Sequence, residues 1–465
     1  MVNAVGPDSE IQSRVRRSLV AIRRRWVPLL LVFASLLMGF TVTAHHSDAL
    51  SPVDEWVYAD YLYKLPQQLV VPRGQEIGPQ ALAIMACSGV REYGTMGPPC
   101  NSDYQKHLAK FPQHGITSAD GYTPLFFWAT WVGAKVIQLF TRTSIVEAAR
   151  YFGAFWLAGG ILLFYWLLRL LKVNRIVALG LGLAVIASPF AWWTYTFIST
   201  DAPSFAFGAL LLVAAIKFTR AQWSGWWIVL ISVVATLFKT TNILAVLLVA
   251  LYLILEYILR RTRERPRRRG FSWRTCLTGR GDDSFTVVAV VAIAASAVAE
   301  LIWLVIRNAI ALGPPATQGY SGSLSLEALG EQLVNFLPGT IISNVNIYGR
   351  TQLGLPIPPW ALEPLSWICV AGVVGALLLF RWRQPNATLV YAIAVAAVIA
   401  APILTIALTL QGTYFVIPPR YGACLLPAFL LAVGLIVRSR FGKILLVAYP
   451  TALLGVILVF APTLA

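Results

Sequence analysis

Apolar stretches about twenty residues long recur along this chain, and they leave one broad class of fold open. Trp26–Ala44 and Ala387–Leu410 are two of them, each long enough to cross the roughly 30 Å of hydrocarbon in a bilayer. Across 465 residues the hydrophobic share is 58% and the charged share 12%. That balance is too apolar for a soluble fold and places the chain among all-α polytopic membrane proteins.

The hydrophobic pattern predicts eleven spans, at 26–45, 151–171, 176–197, 203–217, 226–238, 242–259, 285–306, 362–380, 387–410, 421–437 and 444–463. Six arginines precede the first span (Arg14, Arg16, Arg17, Arg23, Arg24 and Arg25), and Thr43-Ala44-His45 is a poor cleavage site, so an uncleaved anchor with a cytoplasmic N-terminus is expected. Segment 123–140, TPLFFWATWVGAKVIQLF, is apolar enough to be a twelfth crossing. Charge decides against it. With 123–140 kept outside, 25 of the 37 lysines and arginines fall in the segments assigned to the inside or, for Arg169 and Lys217, at the inner ends of their spans. Counting it as a span would export the loop at 260–284 with its nine arginines, against the positive-inside rule. It is therefore expected to lie along the outer surface, with its aromatic face in the headgroups.

The resulting organisation is a basic cytoplasmic N-terminus (1–25), a transmembrane core (26–306) with an external loop at 46–150 and a cytoplasmic arginine-rich loop at 260–284, a second external loop (307–361), and C-terminal transmembrane helices (362–465). The net charge of +17 sits mainly in short loops between spans, which points to membrane lipid headgroups and away from nucleic acid. Cys87 and Cys100 share the first external loop, where a disulfide is expected, with zinc ligation the alternative. Cys276, Cys369 and Cys424 read as free thiols.

Costly polar residues gather where this topology meets the outer leaflet. Asp54 and Glu55 follow the first span. Asp201 lies in the Ser199-Thr200-Asp201-Ala202-Pro203 turn, Lys239 in Lys239-Thr240-Thr241-Asn242, Arg150 at the start of the second span, and Arg420-Tyr421 at the start of the tenth. Ionisable groups at membrane depth point to function. Each also has a plainer reading: Asp54-Glu55 as a solvated turn, Asp201 as a helix N-cap before Pro203, Arg150, Lys239 and Arg420 as side chains snorkelling to phosphates, and His107 and His114 as loop histidines.

In this order these residues resemble the GT-C superfamily of membrane glycosyltransferases, whose members include lipid A aminoarabinose transferases and protein O-mannosyltransferases. The resemblance covers about residues 26–438. It rests on the acidic pair Asp54-Glu55 followed by Tyr58, on Tyr122-Thr123-Pro124-Leu125-Phe126-Phe127 opening the interfacial helix, and on Arg150-Tyr151-Phe152-Gly153. Asp201-Ala202-Pro203, Lys239-Thr240-Thr241-Asn242 and Pro419-Arg420-Tyr421 with Leu426-Pro427 complete it. Many members carry His-Pro-Pro where this chain has Tyr122-Thr123-Pro124.

The resemblance implies inverting transfer of a sugar from a polyprenyl-phosphate carrier to an envelope glycan, lipid or protein on the outer face. Asp54, Glu55 and Asp201 would serve as catalytic carboxylates, and Arg150, Lys239 and Arg420 as donor-phosphate ligands. Tyr58, His114, Tyr421 and Arg350 would contact substrate. A divalent cation on Asp54, Glu55, Asp201 and His114 is one option, and a metal-free site the other. The second external loop, with Arg307, Tyr320, Asn344, Tyr348 and Arg350, is placed to cover the donor or shape the acceptor groove. Arginine outnumbers lysine 29 to 8, which suggests a GC-rich bacterial source and hence a cell-wall or other envelope acceptor. The competing classes are a secondary transporter, which internal repeats and midplane polar residues would favour, and a non-catalytic envelope-assembly protein.

Overall fold

The computed structural model describes residues 7–263, 284–316, 325–343, 357–410 and 415–464. Among these the chain is helical; backbone pairing outside helices is limited to isolated bridges such as Leu50 with Val90 and Glu76 with Ile116. The helices are α1 (Pro7–Ala44), α2 (Glu55–Lys64), α3 (Pro79–Cys87), α4 (Pro124–Gln138), α5 (Ile145–Leu170), α6 (Arg175–Ile186), α7 (Pro189–Tyr195) and α8 (Ala202–Thr219). They continue with α9 (Gly225–Phe238), α10 (Ile243–Arg263), α11 (Ser284–Ala309), α12 (Leu326–Ile342), α13 (Pro359–Leu379), α14 (Ala387–Leu410), α15 (Leu426–Ile436) and α16 (Arg440–Leu464).

Eight of these are long and apolar enough to cross a bilayer, and the pair α6–α7 makes a ninth if it counts as one span. The chain is thus a multi-pass membrane protein. The expected continuous span at 176–197 is instead broken and bends by 58°. Ser188 accepts a cap bond from the Ala191 amide at 3.2 Å, and Pro189 opens the second piece, a pairing that starts a new helix rather than continuing an old one. The spans expected at 226–238 and 421–437 appear as the short apolar helices α9 and α15.

Helix α4 is only 15 residues long and is not among the crossing helices. It begins where Thr123 donates to the Leu237 carbonyl at the end of α9, and Gln138 at its other end donates to Thr143 O at 2.9 Å, just before α5 starts. It packs mainly on α5, where Gly133 lies against the Phe152 ring, and leaves Val132, Val136, Leu139 and Phe140 exposed. The region expected to be a second external loop contains helix α12, which packs on α13, α14 and the 3-10 turn Pro419–Gly422. The arginine-rich segment 264–283, with Cys276, lies outside the described residues. Cys87 and Cys100 are disulfide-bonded, and Cys369 and Cys424 are buried free thiols.

Two close approaches set the site end of the bundle. A Cβ on Gly153 of α5 would lie 2.1 Å from the Tyr195 carbonyl, so the missing side chain lets the end of α7 lie against α5. A Cβ on Gly208 of α8 would lie 1.9 Å from Cys424 O. Through these contacts the 195–201 segment and the chain around Arg420 are brought against α5 and α8.

Candidate functional site

Asp54 ends the connection from α1 and precedes α2. Its backbone is left-handed (φ 58°), a region that Asp tolerates better than most residues. Its carbonyl accepts the amides of Val57 and Tyr58 at 3.0 and 3.2 Å, which starts the helix, and its side chain makes no cap bond. The carboxylate is released toward Arg420, whose Nη2 lies 3.3 Å from Asp54 Oδ2. The left-handed turn also separates Asp54 from Glu55.

Asp201 stands at the N-cap position of α8 but makes no cap bond. Its two oxygens go to two cations: Lys239 Nζ on Oδ1, and Arg420 Nη1 at 3.1 Å on Oδ2. Lys239 is carried by the extended residue that ends α9, and Arg420 by the 3-10 turn ahead of α15. A charge chain results, running Asp54, Arg420, Asp201, Lys239. Its members differ in access: the Asp54 side chain is 39% exposed, against 10% for Arg420, 7% for Lys239 and 1% for Asp201. Among the described residues Arg420 Nε is buried without a hydrogen-bond partner.

Tyrosines wall the chain. The Tyr421 ring has Lys239 Nζ at 5.2 Å and Arg420 Cζ at 5.4 Å from its centroid, the geometry of a cation–π contact. Tyr58 is fully buried, with its hydroxyl 3.1 Å from Tyr122 Oη and 3.2 Å from Thr200 Oγ1. Burial, then the nearby Asp54 carboxylate, pushes the Tyr58 phenol well above its ordinary pKa. Burial and then Tyr58 do the same to Tyr122, and burial raises Tyr421 to about 12. All three are protonated phenols at neutral pH and can donate hydrogen bonds.

Glu55 and Arg150 form a separate unit. Arg150 Nε and Nη2 meet Glu55 Oε1 and Oε2 at 2.9 and 2.8 Å, and the amides of Ile198 and Ser51 fill the remaining acceptor positions at 2.9 and 2.6 Å. Arg150 also donates to the carbonyls of Ser47 and Ala49. This fork ties the loop before Asp54 to α5 and to the segment leading to Asp201, with both partners buried.

The structure thus brings Asp54, Asp201, Lys239, Arg420 and Tyr421 together with Tyr58 beside them. His114 instead stands exposed in the 3-10 turn Pro112–Gly115, and Arg350 lies outside the described residues. Among the described residues no three of His, Cys, Asp and Glu are grouped so as to hold a metal ion, so Asp54, Glu55, Asp201 and His114 do not form one ligand set. Tyr122 and Thr200 join the site without having been singled out as site residues. Their only sequence signals are their places beside Thr123-Pro124 and Asp201.

The arrangement suits an anion beside a base. Two helices start at it, α2 directly after Asp54 and α8 directly after Asp201, and such ends favour negative charge. Compared with known proteins, the chain matches no protein-family model, and no curated protein matches it significantly.

Proposed function

We propose that the chain is a membrane glycosyltransferase of the GT-C type, which moves a sugar from a polyprenyl-phosphate carrier to an envelope glycan, lipid or protein at the outer face of the membrane. The observation that carries this reading is the charge chain, with one carboxylate open to solvent at one end and two buried cations sharing a second carboxylate behind it. On this reading the eight long helices, the bent pair and the two short apolar helices make eleven crossings. The N-terminus is cytoplasmic and α4 lies in the outer interface.

The chemistry follows from the donors and acceptors. The carrier's phosphate docks on Arg420 and Lys239, which have N–H groups to spare beyond those engaged by Asp54 and Asp201. Phosphate competes with Asp54 for the Arg420 guanidinium at the longest of the three ion pairs, and so frees the Asp54 carboxylate. Asp54 then takes the proton of the acceptor hydroxyl as its oxygen attacks the anomeric carbon. The bond from that carbon to the phosphate oxygen breaks, and the lipid phosphate leaves with its charge held by the two cations. Attack opposite the leaving group inverts the anomeric centre. Asp201 holds the two cations in register, and Glu55 with Arg150 holds the Asp54 loop in place.

Incubating the purified protein with polyprenyl-phospho-sugars tests the reading. Release of polyprenyl phosphate with a glycosylated acceptor is expected. Sugar movement across a vesicle membrane without release would favour a transporter instead.

A further inference from the structure

Helix α11 faces lipid over much of its length, with Val290, Val298, Leu301 and Val305 more than half exposed. It nevertheless carries two charged side chains that the proposed chemistry does not use, Glu300 and Arg307. They are seven residues apart, which is two helical turns, so they lie on one face about 10 Å apart along the axis.

Arg307 reaches Asp120, with Nε at 2.7 Å and Nη2 at 2.5 Å from Oδ2. Asp120 is 2% exposed and sits in the 3-10 turn Ala119–Gly121, which closes when the Tyr122 amide bonds Ala119 O at 3.1 Å. In the last turn of the helix Asn308 accepts from Arg73 Nη1 at 2.9 Å, and just beyond it the Leu312 amide donates to Arg73 O at 2.8 Å. This end of α11 is therefore fixed to the loop that presents Tyr122. Two turns lower, Glu300 Oε1 accepts from Thr240 Oγ1 at 2.9 Å, and Thr240 follows Lys239 directly. Helix α11 also packs along α9 and α10, which flank the Lys239 turn. One rigid element thus holds the tyrosine side of the site by one polar tie and the lysine side by another.

We propose that α11 is a strut that sets the spacing between the Tyr122 side and the Lys239 side of the site, with Arg307–Asp120 and Glu300–Thr240 as its two ties. Arg307, Asp120, Glu300 and Thr240 are positioning residues, acting through Tyr122 and Lys239. The strut itself is read from geometry; its effect on turnover rests on the glycosyltransferase reading. A carboxylate at membrane depth is costly unless it is bonded, and the Thr240 bond gives Glu300 a defined place. Packing along α9 and α10 holds the helix on one face, and the two polar ties fix which of its residues meet the Tyr122 and Lys239 sides.

The test places 3-fluorotyrosine at position 122 and records its fluorine resonance in the full-length detergent-solubilised protein. Arg307→Ala should displace or broaden the signal, Arg307→Lys, which keeps charge but loses the fork, should displace it less, and Thr240→Val should leave it in place. Thr240→Val should instead weaken binding of a polyprenyl monophosphate several-fold, while Arg307→Ala leaves that binding unchanged. With a polyprenyl-phospho-sugar donor, Arg307→Ala should lower kcat on the order of 10- to 100-fold with little change in donor KM, as a displacement of about 1 Å near reacting groups does. Should Arg307→Ala fail to fold, the Arg307→Lys resonance decides. A Tyr122 signal at the wild-type position in the folded Arg307 variants overturns the strut. A displaced signal in a protein that turns over no lipid-linked sugar supports the strut and counts against the glycosyltransferase reading alone.

Discussion

Asp201→Asn separates two roles for the residue that starts α8. Asn is as good a helix cap as Asp, so a capping role predicts almost no change, and even Asp201→Ala would then cost only about 1 kcal/mol. The structure argues for more. Asp201 is 1% exposed and neutralises two cations that are themselves buried. Removing its charge leaves Arg420 with Asp54 at 3.3 Å and the Tyr421 ring, and leaves Lys239, among the described residues, with a neutral amide in place of the carboxylate and that ring at 5.2 Å. Stripping one partner from a buried ion pair costs about 3–5 kcal/mol. The retained Asp54–Arg420 contact puts Asp201→Asn near the lower end of that range, about 3 kcal/mol. The assay is equilibrium unfolding in mixed micelles. Adding a polyprenyl monophosphate should return part of the lost stability, because an anion can take the vacated place between the cations. A loss well under 1 kcal/mol, with no response to lipid phosphate, would refute the charge-chain argument.

Further outcomes follow from the neighbouring groups. His46 stacks on Phe197 at 4.0 Å, and burial, with Arg150 and Arg91 nearby, lowers its pKa from 6.5 to about 2. Between those values the unfolded chain binds the extra proton, so this contribution is whole above pH 6.5 and is lost as pH falls toward 2. The slope approaches about 1.4 kcal/mol per unit; His46→Gln should flatten it, and an unchanged acid limb counts against the assignment. Glu55→Gln should lose about 3–5 kcal/mol of stability through its buried fork with Arg150, and full thermal stability with lost turnover would point to a direct chemical role instead. Replacing Cys87 and Cys100 by Ser should cost about 3 kcal/mol in denaturant titration, from the closed loop they bound.

Much of the architecture is legible in hydropathy and charge, because a bilayer imposes length on its helices and sign on its loops. Long runs such as 26–44 and 387–410 read directly as helices. The break at Ser188-Pro189 carried its own signal, a capping residue before proline, which a smoothed apolar profile hides. Helix α12 was missed because Gly330, Gln332, Asn335 and Pro338 dilute its apolar pattern. In the site, alternation of spans already gathers Asp54, Asp201, Lys239 and Arg420 at one end. What the chain order cannot display is how they pair. Arg420 meets Asp201 across 219 positions and Asp54 across 366. A left-handed turn at Asp54 sends two adjacent carboxylates to different partners, Asp54 to Arg420 and Glu55 to Arg150.

In the proposed mechanism Asp54 is the base. Asn keeps the shape and tolerates the left-handed backbone at this position, yet cannot take a proton. The most direct measurement is the rate at which Asp54→Asn releases polyprenyl phosphate from its lipid-linked sugar donor, in protein shown to be folded and to bind the lipid phosphate at least as tightly as the wild type. A fall of about 10²- to 10⁴-fold is expected, the usual effect of losing a general base. Release at the wild-type rate would contradict it and leave Asp54 a solvated turn.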